Sequence, residues 1–264
     1  MSNQNIVIGV TDLSFHRIAA SLVTNVLTDM GFRIERIYEH HEKNFENLKV
    51  GKIDMLTSAW LPSSHGGYRT EVEKTVPLTD LGLHYEPYAL WGVPDYVPTN
   101  DVTEVSDLLK PTVLEKMIKR IQGINPGAGI SRFSAKMIYD YNLGTAGYSF
   151  HTGTEEDCFK TFEEAVAKKE WLVIPLWKPQ FLHHKYNIRE LKDPKGLLGV
   201  VDKAVLVIRD DRKQLFTSEQ LEVLDGLRFG NDVIATLDYK VSREGENIDE
   251  VTKEWLTNNL NRTK

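Results

Sequence analysis

Two tryptophans close apolar runs, and a proline follows each within two residues. Trp60 lies in Ala59-Trp60-Leu61-Pro62-Ser63-Ser64-His65-Gly66-Gly67-Tyr68, and Trp177 in Val173-Ile174-Pro175-Leu176-Trp177-Lys178-Pro179. An indole face is large, stiff and electron-rich, so it can hold an organic cation, with about 1–2 kcal/mol from each face that meets a desolvated cation. Two such faces suit one quaternary ammonium held from opposite sides. A third stretch, Gly123-Ile124-Asn125-Pro126-Gly127-Ala128-Gly129-Ile130, reads as a strand end and a glycine turn before a helix. Backbone N–H groups at a helix start attract an anion, most simply a carboxylate. The turn lacks the third glycine and acidic partner of a dinucleotide fingerprint. It also lacks the lysine and hydroxyl pair of a phosphate loop. Together the three stretches suit a small zwitterion. Each alone has a plainer reading: Trp60 as an aromatic at the rim of a core, the glycine turn as a turn without a ligand.

The elements that must position these residues follow from periodicity. Residues 5–10 read as a strand, and apolar residues from Ile18 to Met30 recur at three and four, a helix stopped by Gly31. Residues 32–38 read as a second strand, 44–50 as a short helix and 53–58 as a third strand. This βαβαβ opening predicts parallel strands, with the loops carrying Asp12–Phe15, Tyr38–His41 and Trp60–His65 on one sheet edge. Residues 72–81 are poorly patterned, 85–93 read as a buried strand, and 93–98 form a breaker-rich crossing. Beyond it, 105–109 and 113–121 read as helical, 130–141 and 155–169 as helices, and 171–176 as a buried strand. Residues 200–208 read as a strand crossing back, and the remainder as helices over 218–229, continuing through 234–239, and 248–260. The expected organisation is α/β: two lobes, each a sheet flanked by helices, hinged by two crossing strands. Lobe I takes 1–93 and 206–264, lobe II takes 98–202, and the crossings fall near 93–98 and 203–208.

Bulk properties narrow the function. The chain has 264 residues, enough for two lobes, and 41% hydrophobic with 27% charged residues is ordinary globular composition. A net charge of −6 without a basic stripe argues against nucleic acid as a partner. Cys158 is the single cysteine, which leaves no internal disulfide and no cysteine metal cluster. His40-His41-Glu42 and His183-His184 look metal-like but lack the helical i, i+4 spacing of a zinc site, so no metal is expected, and no cofactor. No nucleophile–base pair is apparent either; an enzyme using His65 as general base is the weaker alternative. The first residues lack the basic start and long apolar region of an export signal.

With these motifs in this order, the chain resembles the substrate-binding proteins of glycine betaine/choline-type ABC transporters, over nearly its whole length. The Trp-Leu-Pro and Asn-Pro-Gly-Ala-Gly stretches carry the resemblance, with Leu176–Pro179, Tyr186 and Leu191–Lys195. It implies a type II periplasmic-binding-protein-like fold and no catalysis. It also implies partnership with transporter membrane subunits, a monomeric state and an extracytoplasmic location. A cytoplasmic or signalling sensor with the same pocket is the alternative. Residue by residue, Trp60 and Trp177 would wall the cationic head. His65 would contact the ligand carboxylate from lobe I, and the N–H groups of Gly129 and Ile130 would contact it from lobe II. The family's third aromatic wall falls nearest Leu13, with Phe15 two residues on. The cage is therefore either incomplete or rebuilt with Phe15, a poorer cation partner than Trp. That departure from the family pattern leaves room for a ligand related to glycine betaine, such as choline, carnitine, a sulfonium analogue or another amine.

Overall fold

The computed structural model describes residues 4–260, so residues 1–3 of the segment read for an export signal lie outside it. The chain begins β1 (Asn5–Thr11), α1 (Ser14–Asp29), β2 (Arg33–Glu39), α2 (His41–Lys49), β3 (Met55–Leu61), α3 (Gly66–Glu73), β4 (Leu78–Tyr85). It continues through β5 (Tyr88–Pro94), α4 (Pro111–Leu114), β6 (Arg120–Gln122), α5 (Gly129–Asp140), β7 (Ser149–His151), α6 (Glu155–Ala167), β8 (Ile174–Lys178), α7 (Leu182–Lys185) and β9 (Ile188–Glu190). It closes with β10 (Lys203–Arg209), α8 (Ser218–Gly226), α9 (Asn231–Glu244) and α10 (Ile248–Leu260). Two compact units result: one ends at Pro87 and resumes at Asp202, the other is Tyr88–Val201.

The first unit is built on a five-stranded sheet in the order β2-β1-β3-β10-β4. The strands β2, β1 and β3 are parallel, as the βαβαβ opening predicts, while β10 runs antiparallel to both its neighbours. Ile6, Ile8 and Val10 of β1 are fully buried, as are Ile18, Leu22 and Leu27 of α1. A second apolar cluster unites Phe45 and Leu48 of α2 with Ile53, Leu56, Val72 and Val207. Gly9 lets Ile53 and α2 approach the sheet, because a Cβ there would stand 2.4 Å from Ile53 Cδ1 and 3.0 Å from Asn44 Oδ1 of α2.

Two irregularities interrupt this sheet beside the residues of interest. Against β3, the register shifts between Val205 and Val207, so Thr57 and Ser58 share the place opposite one residue of β10. Ser58 takes a φ of 57°, a left-handed conformation uncommon for a non-glycine residue. Such bulges re-aim side chains and recur next to binding sites. Against β4, the register shifts between Ala204 and Leu206, where Gly82 supplies a φ of 79°.

The second unit holds a three-stranded sheet, β8-β5-β9, and a parallel pair, β6-β7. Thr154 caps α6, accepting from the Asp157 N–H while the Asp157 carboxylate receives the Thr154 N–H. Trp91 of β5 is fully buried and donates its indole N–H to Ser134 Oγ of α5 at 2.8 Å.

Several elements depart from the sequence expectations. Residues 85–93 are not one strand: the turn at Glu86–Pro87 separates β4 from β5. Because β5 pairs with β8 and β9, it belongs to the second unit, and the chain changes unit at 87/88 rather than near 93–98. The return falls at 201/202, and β10 lies inside the first unit's sheet rather than forming a crossing. Residues 113–121 are helical only to Leu114. Met117 bridges Trp171 and the chain then extends into β6; apolar residues at 113, 117 and 121 fit either period. The poorly patterned 72–81 region contains the end of α3 and the start of β4. The helix read through 234–239 is separate from α8, since Gly230 intervenes with a φ of 88°.

Candidate ligand-binding site

In the first unit, Trp60, Phe15 and His65 are brought together. Trp60 leaves β3 one residue before its end, Phe15 sits in the first turn of α1, and His65 precedes α3. The Phe15 and Trp60 ring centroids lie 5.2 Å apart, tilted by 40°. His65 stacks on Trp60 at 6.3 Å with an interplanar angle of 22°. Leu13 caps the start of α1 from an extended backbone and is buried. Of the two residues weighed for the third wall, Phe15 is thus the aromatic one, placed against Trp60.

Backbone bonds set the chemistry of His65. The Trp60 N–H donates to His65 Nδ1 at 2.9 Å, and the His65 N–H donates back to the Trp60 carbonyl at 2.8 Å. A backbone N–H can only donate, so Nδ1 must present its lone pair and the ring proton resides on Nε2. His65 is therefore a neutral imidazole with Nε2–H as its donor. The loop is fixed from below by Asp202, which is 1% exposed; its carboxylate receives the N–H of Ser63 at 2.5 Å and of Ser64 at 3.0 Å. The Leu61–Pro62 peptide is cis, as is Lys178–Pro179, so each tryptophan is followed by a cis proline two residues on.

Trp60 is also held through its side chain. Its Nε1–H donates to the Tyr85 hydroxyl at 2.9 Å, and Tyr85 is hydrogen-bonded in turn to Ser58 Oγ. Ser58 Oγ stands 2.7 Å from His16 Nδ1. Tyr85, Ser58 and His16 are all buried, and burial pushes the Tyr85 phenol well above its ordinary range. Burial, and secondarily the neighbouring His41, hold His16 well below the usual imidazole range, so it too is neutral. None of the three was singled out from sequence. The only signal for Ser58 was its place just ahead of the Trp60 motif; its left-handed conformation has no sequence mark of its own.

His16, His41 and His65 converge, with one ring nitrogen from each lying within 4.8 Å of the others. Of the two histidine pairs weighed for metal, only His41 takes part. Tetrahedral zinc at about 2.0–2.1 Å from each nitrogen would need nitrogens roughly 3.4 Å apart. His65 already spends its Nδ1 lone pair on Trp60 and carries a proton on Nε2. The trio fits hydrogen-bonding imidazoles better than a metal centre.

In the second unit, Gly129 and Ile130 are the first two residues of α5, a helix of 12 residues. Their amides precede the first possible intrahelical acceptor, so no bond within the helix satisfies them. The Ser131 hydroxyl donates to the Ile124 carbonyl at 3.1 Å and fastens the turn to the helix. Trp177 lies in β8, on which α5 packs, and is 1% exposed. Its ring lies 6.0 Å from Phe159 of α6, which meets Phe181 edge-on at 5.1 Å.

Known proteins resemble the chain in sequence and in fold. A family model described as the substrate-binding domain of the ABC-type glycine betaine transport system matches residues 4–258. A curated relative, the glycine betaine/carnitine transport binding protein GbuC of Listeria monocytogenes, is 26% identical over 145 residues. That match covers 55% of this chain and spans about half, 48%, of the relative. Among solved structures, lactococcal OpuAC in its closed form with glycine betaine superposes with a TM-score of 0.85 at 23% identity, covering 98% of this chain and 97% of that one. The ProX protein of Borrelia burgdorferi gives 0.84 at 24% identity, covering 97% and 94%. An ABC-transporter choline-binding protein in complex with choline gives 0.85 at 14% identity, covering 100% and 91%. These likenesses make the fold that of the two-lobe periplasmic binding proteins.

Proposed function

The chain belongs to the family of substrate-binding domains of ABC-type glycine betaine transport systems, and from that premise we propose that it binds a small quaternary-ammonium zwitterion and presents it to an ABC transporter. The observation that carries this reading is the pairing of an aromatic wall, Trp60 against Phe15, with a neutral imidazole donor stacked beside it, His65. The indole face offers the attraction a trimethylammonium group needs, and the Nε2–H offers a bond to a carboxylate. Within the second unit, Trp177 and the α5 amides of Gly129 and Ile130 are the residues proposed for ligand contact. Binding leaves the ligand chemically unchanged, so no catalytic or cofactor role is assigned. The protein acts outside the membrane, as a monomer, with the transporter's membrane subunits as partners. Among the described residues no helix is long and apolar enough to cross a membrane.

Calorimetry against glycine betaine, carnitine, choline and a sulfonium analogue tests the reading. At least one should bind and be recovered intact. Trp60→Ala and Trp177→Ala should each weaken that binding by roughly 5- to 30-fold, the loss of one cation–π face. Absence of binding to all four, or full affinity in both variants, overturns it.

A further inference from the structure

The imidazole cluster includes a residue to which the family resemblance gives no role. We propose that His16 is a second ligand-binding imidazole, which pairs with His65 to grip an anionic oxygen and makes the site selective for zwitterions bearing a carboxylate over amino alcohols such as choline. This deepens the transport reading and rests on it.

Three observations converge. The first is position: the His16 ring lies 5.4 Å from Trp60 and 6.0 Å from His65, so both imidazoles flank the same indole. The second is proton placement. Trp60 Nε1–H donates to Tyr85, and passing the bonds onward from the Tyr85 hydroxyl to Ser58 and from the Ser58 hydroxyl to His16 Nδ1 gives every proton an acceptor. In that arrangement His16, like His65, accepts at Nδ1 and carries its proton on Nε2. The left-handed bulge at Ser58 is what brings its hydroxyl between Tyr85 and His16. The third is spacing. Two N–H donors about 2.9 Å from one oxygen, approaching at a trigonal to tetrahedral angle, stand roughly 4.7–5.0 Å apart. One ring nitrogen from each of His16, His41 and His65 lies within 4.8 Å of the others, close enough for two of the rings to serve one oxygen.

Neutral donors of this kind reward an acceptor that carries charge. A carboxylate offers several lone-pair sites and a full negative charge. The hydroxyl of choline is neutral and must place its own proton as well. The third wall that the family pattern would put at Leu13 is thus partly replaced by polar recognition from the next turn of chain.

The test uses the full chain, with glycine betaine and choline as probes. Wild type should bind glycine betaine at least about tenfold more tightly than choline. His16→Leu should lose about tenfold or more in glycine betaine affinity while choline affinity changes by less than threefold. His16→Gln, whose amide can donate from near the Nε2 position, should recover most of the loss. Equal losses for both probes in His16→Leu, or no rescue by His16→Gln, would mean a structural role only and overturn the proposal. A readout independent of ligand guards against misfolding: long-range 1H–15N spectra of the wild-type protein should show His16 and His65 as Nε2–H tautomers. An Nδ1–H tautomer at His16 overturns the proposal on its own. If wild type binds neither probe, nor carnitine nor a sulfonium analogue, while both tautomers are as stated, the transport reading fails and the ligand role of His16 falls with it.

Discussion

Trp60 and His65 are tied by a reciprocal pair of hydrogen bonds: the Trp60 N–H to His65 Nδ1 at 2.9 Å, and the His65 N–H to the Trp60 carbonyl at 2.8 Å. The pair makes the loop a closed ring in which the aromatic wall and the polar donor cannot move independently. His65→Phe keeps the ring's bulk and deletes both nitrogens. It should leave the buried Trp60 N–H without an acceptor and cost about 1–3 kcal/mol in urea unfolding. It should also weaken glycine betaine binding by at least about tenfold, since the charge-assisted bond is lost. Unaltered stability would show that water replaces Nδ1 and that the ring closure is weak.

Tyr85 fixes the other side of the indole. Tyr85→Phe removes only the hydroxyl that receives Trp60 Nε1–H and neighbours Ser58. The loss should be about 1–2 kcal/mol of unfolding free energy. In 1H–15N spectra, the Trp60 indole resonance, assigned from Trp60→Phe, should move upfield. An indole resonance that stays in place means the bond contributes nothing.

Asp202 carries the loop after Trp60 on a single carboxylate. Its oxygens receive Ser63 and Ser64 N–H, and its own N–H donates to the Pro87 carbonyl at 2.7 Å. Asp202→Ala removes two charge-assisted bonds to a buried backbone and should destabilise by roughly 3 kcal/mol or more. Asp202→Asn, which keeps one acceptor oxygen, should fall between wild type and alanine. Chemical denaturation of the three proteins checks the order, and an asparagine variant as unstable as alanine would contradict it.

The residues legible in sequence were those whose types announce themselves locally. Trp60 and His65 lie five positions apart in one motif, and Gly129 and Ile130 follow an evident glycine turn. The parallel β1, β2 and β3 were legible because their connections are short and their periods change cleanly between strand and helix. The unit boundary was not. Residues 85–93 are apolar apart from Glu86, and pairing partners distant in sequence, β8 and β9, decide that β5 belongs to the second unit. The polar relay was equally hidden. Ser58 and His16 are 42 residues apart, Ser58 and Tyr85 27 apart, and each alone is an ordinary core residue. The bulge that joins them depends on the pairing of β3 with β10, whose strand lies beyond the whole second unit.

Asp238 gives the first unit a pH dependence of its own. It lies in α9, fully buried, and accepts from Ser14 Oγ at 3.0 Å and Ser242 Oγ at 2.8 Å. Ser14 is the residue before Phe15, so this carboxyl also anchors the start of α1. Burial, the largest cause, pushes the Asp238 carboxyl up to about 6, against the lowering effect of Ser242, Ser14 and Arg243. Unfolded, an aspartate titrates near 3.9. Between those values the folded state holds a proton that the unfolded state has released. The stability contributed by Asp238 is therefore fully present below about pH 4 and is lost as pH rises through about 6. The loss amounts to about 3 kcal/mol for a gap of roughly two units. Asp238→Asn retains an acceptor oxygen for one serine, can donate its amide N–H to the hydroxyl oxygen of the other, and cannot ionise. It should be more stable than wild type by about 2–3 kcal/mol at pH 8 and close to wild type at pH 4. Urea unfolding of both proteins across that range measures the difference directly. A constant offset from pH 4 to pH 8 would show that Asp238 ionises in the folded protein as readily as it does in the unfolded chain.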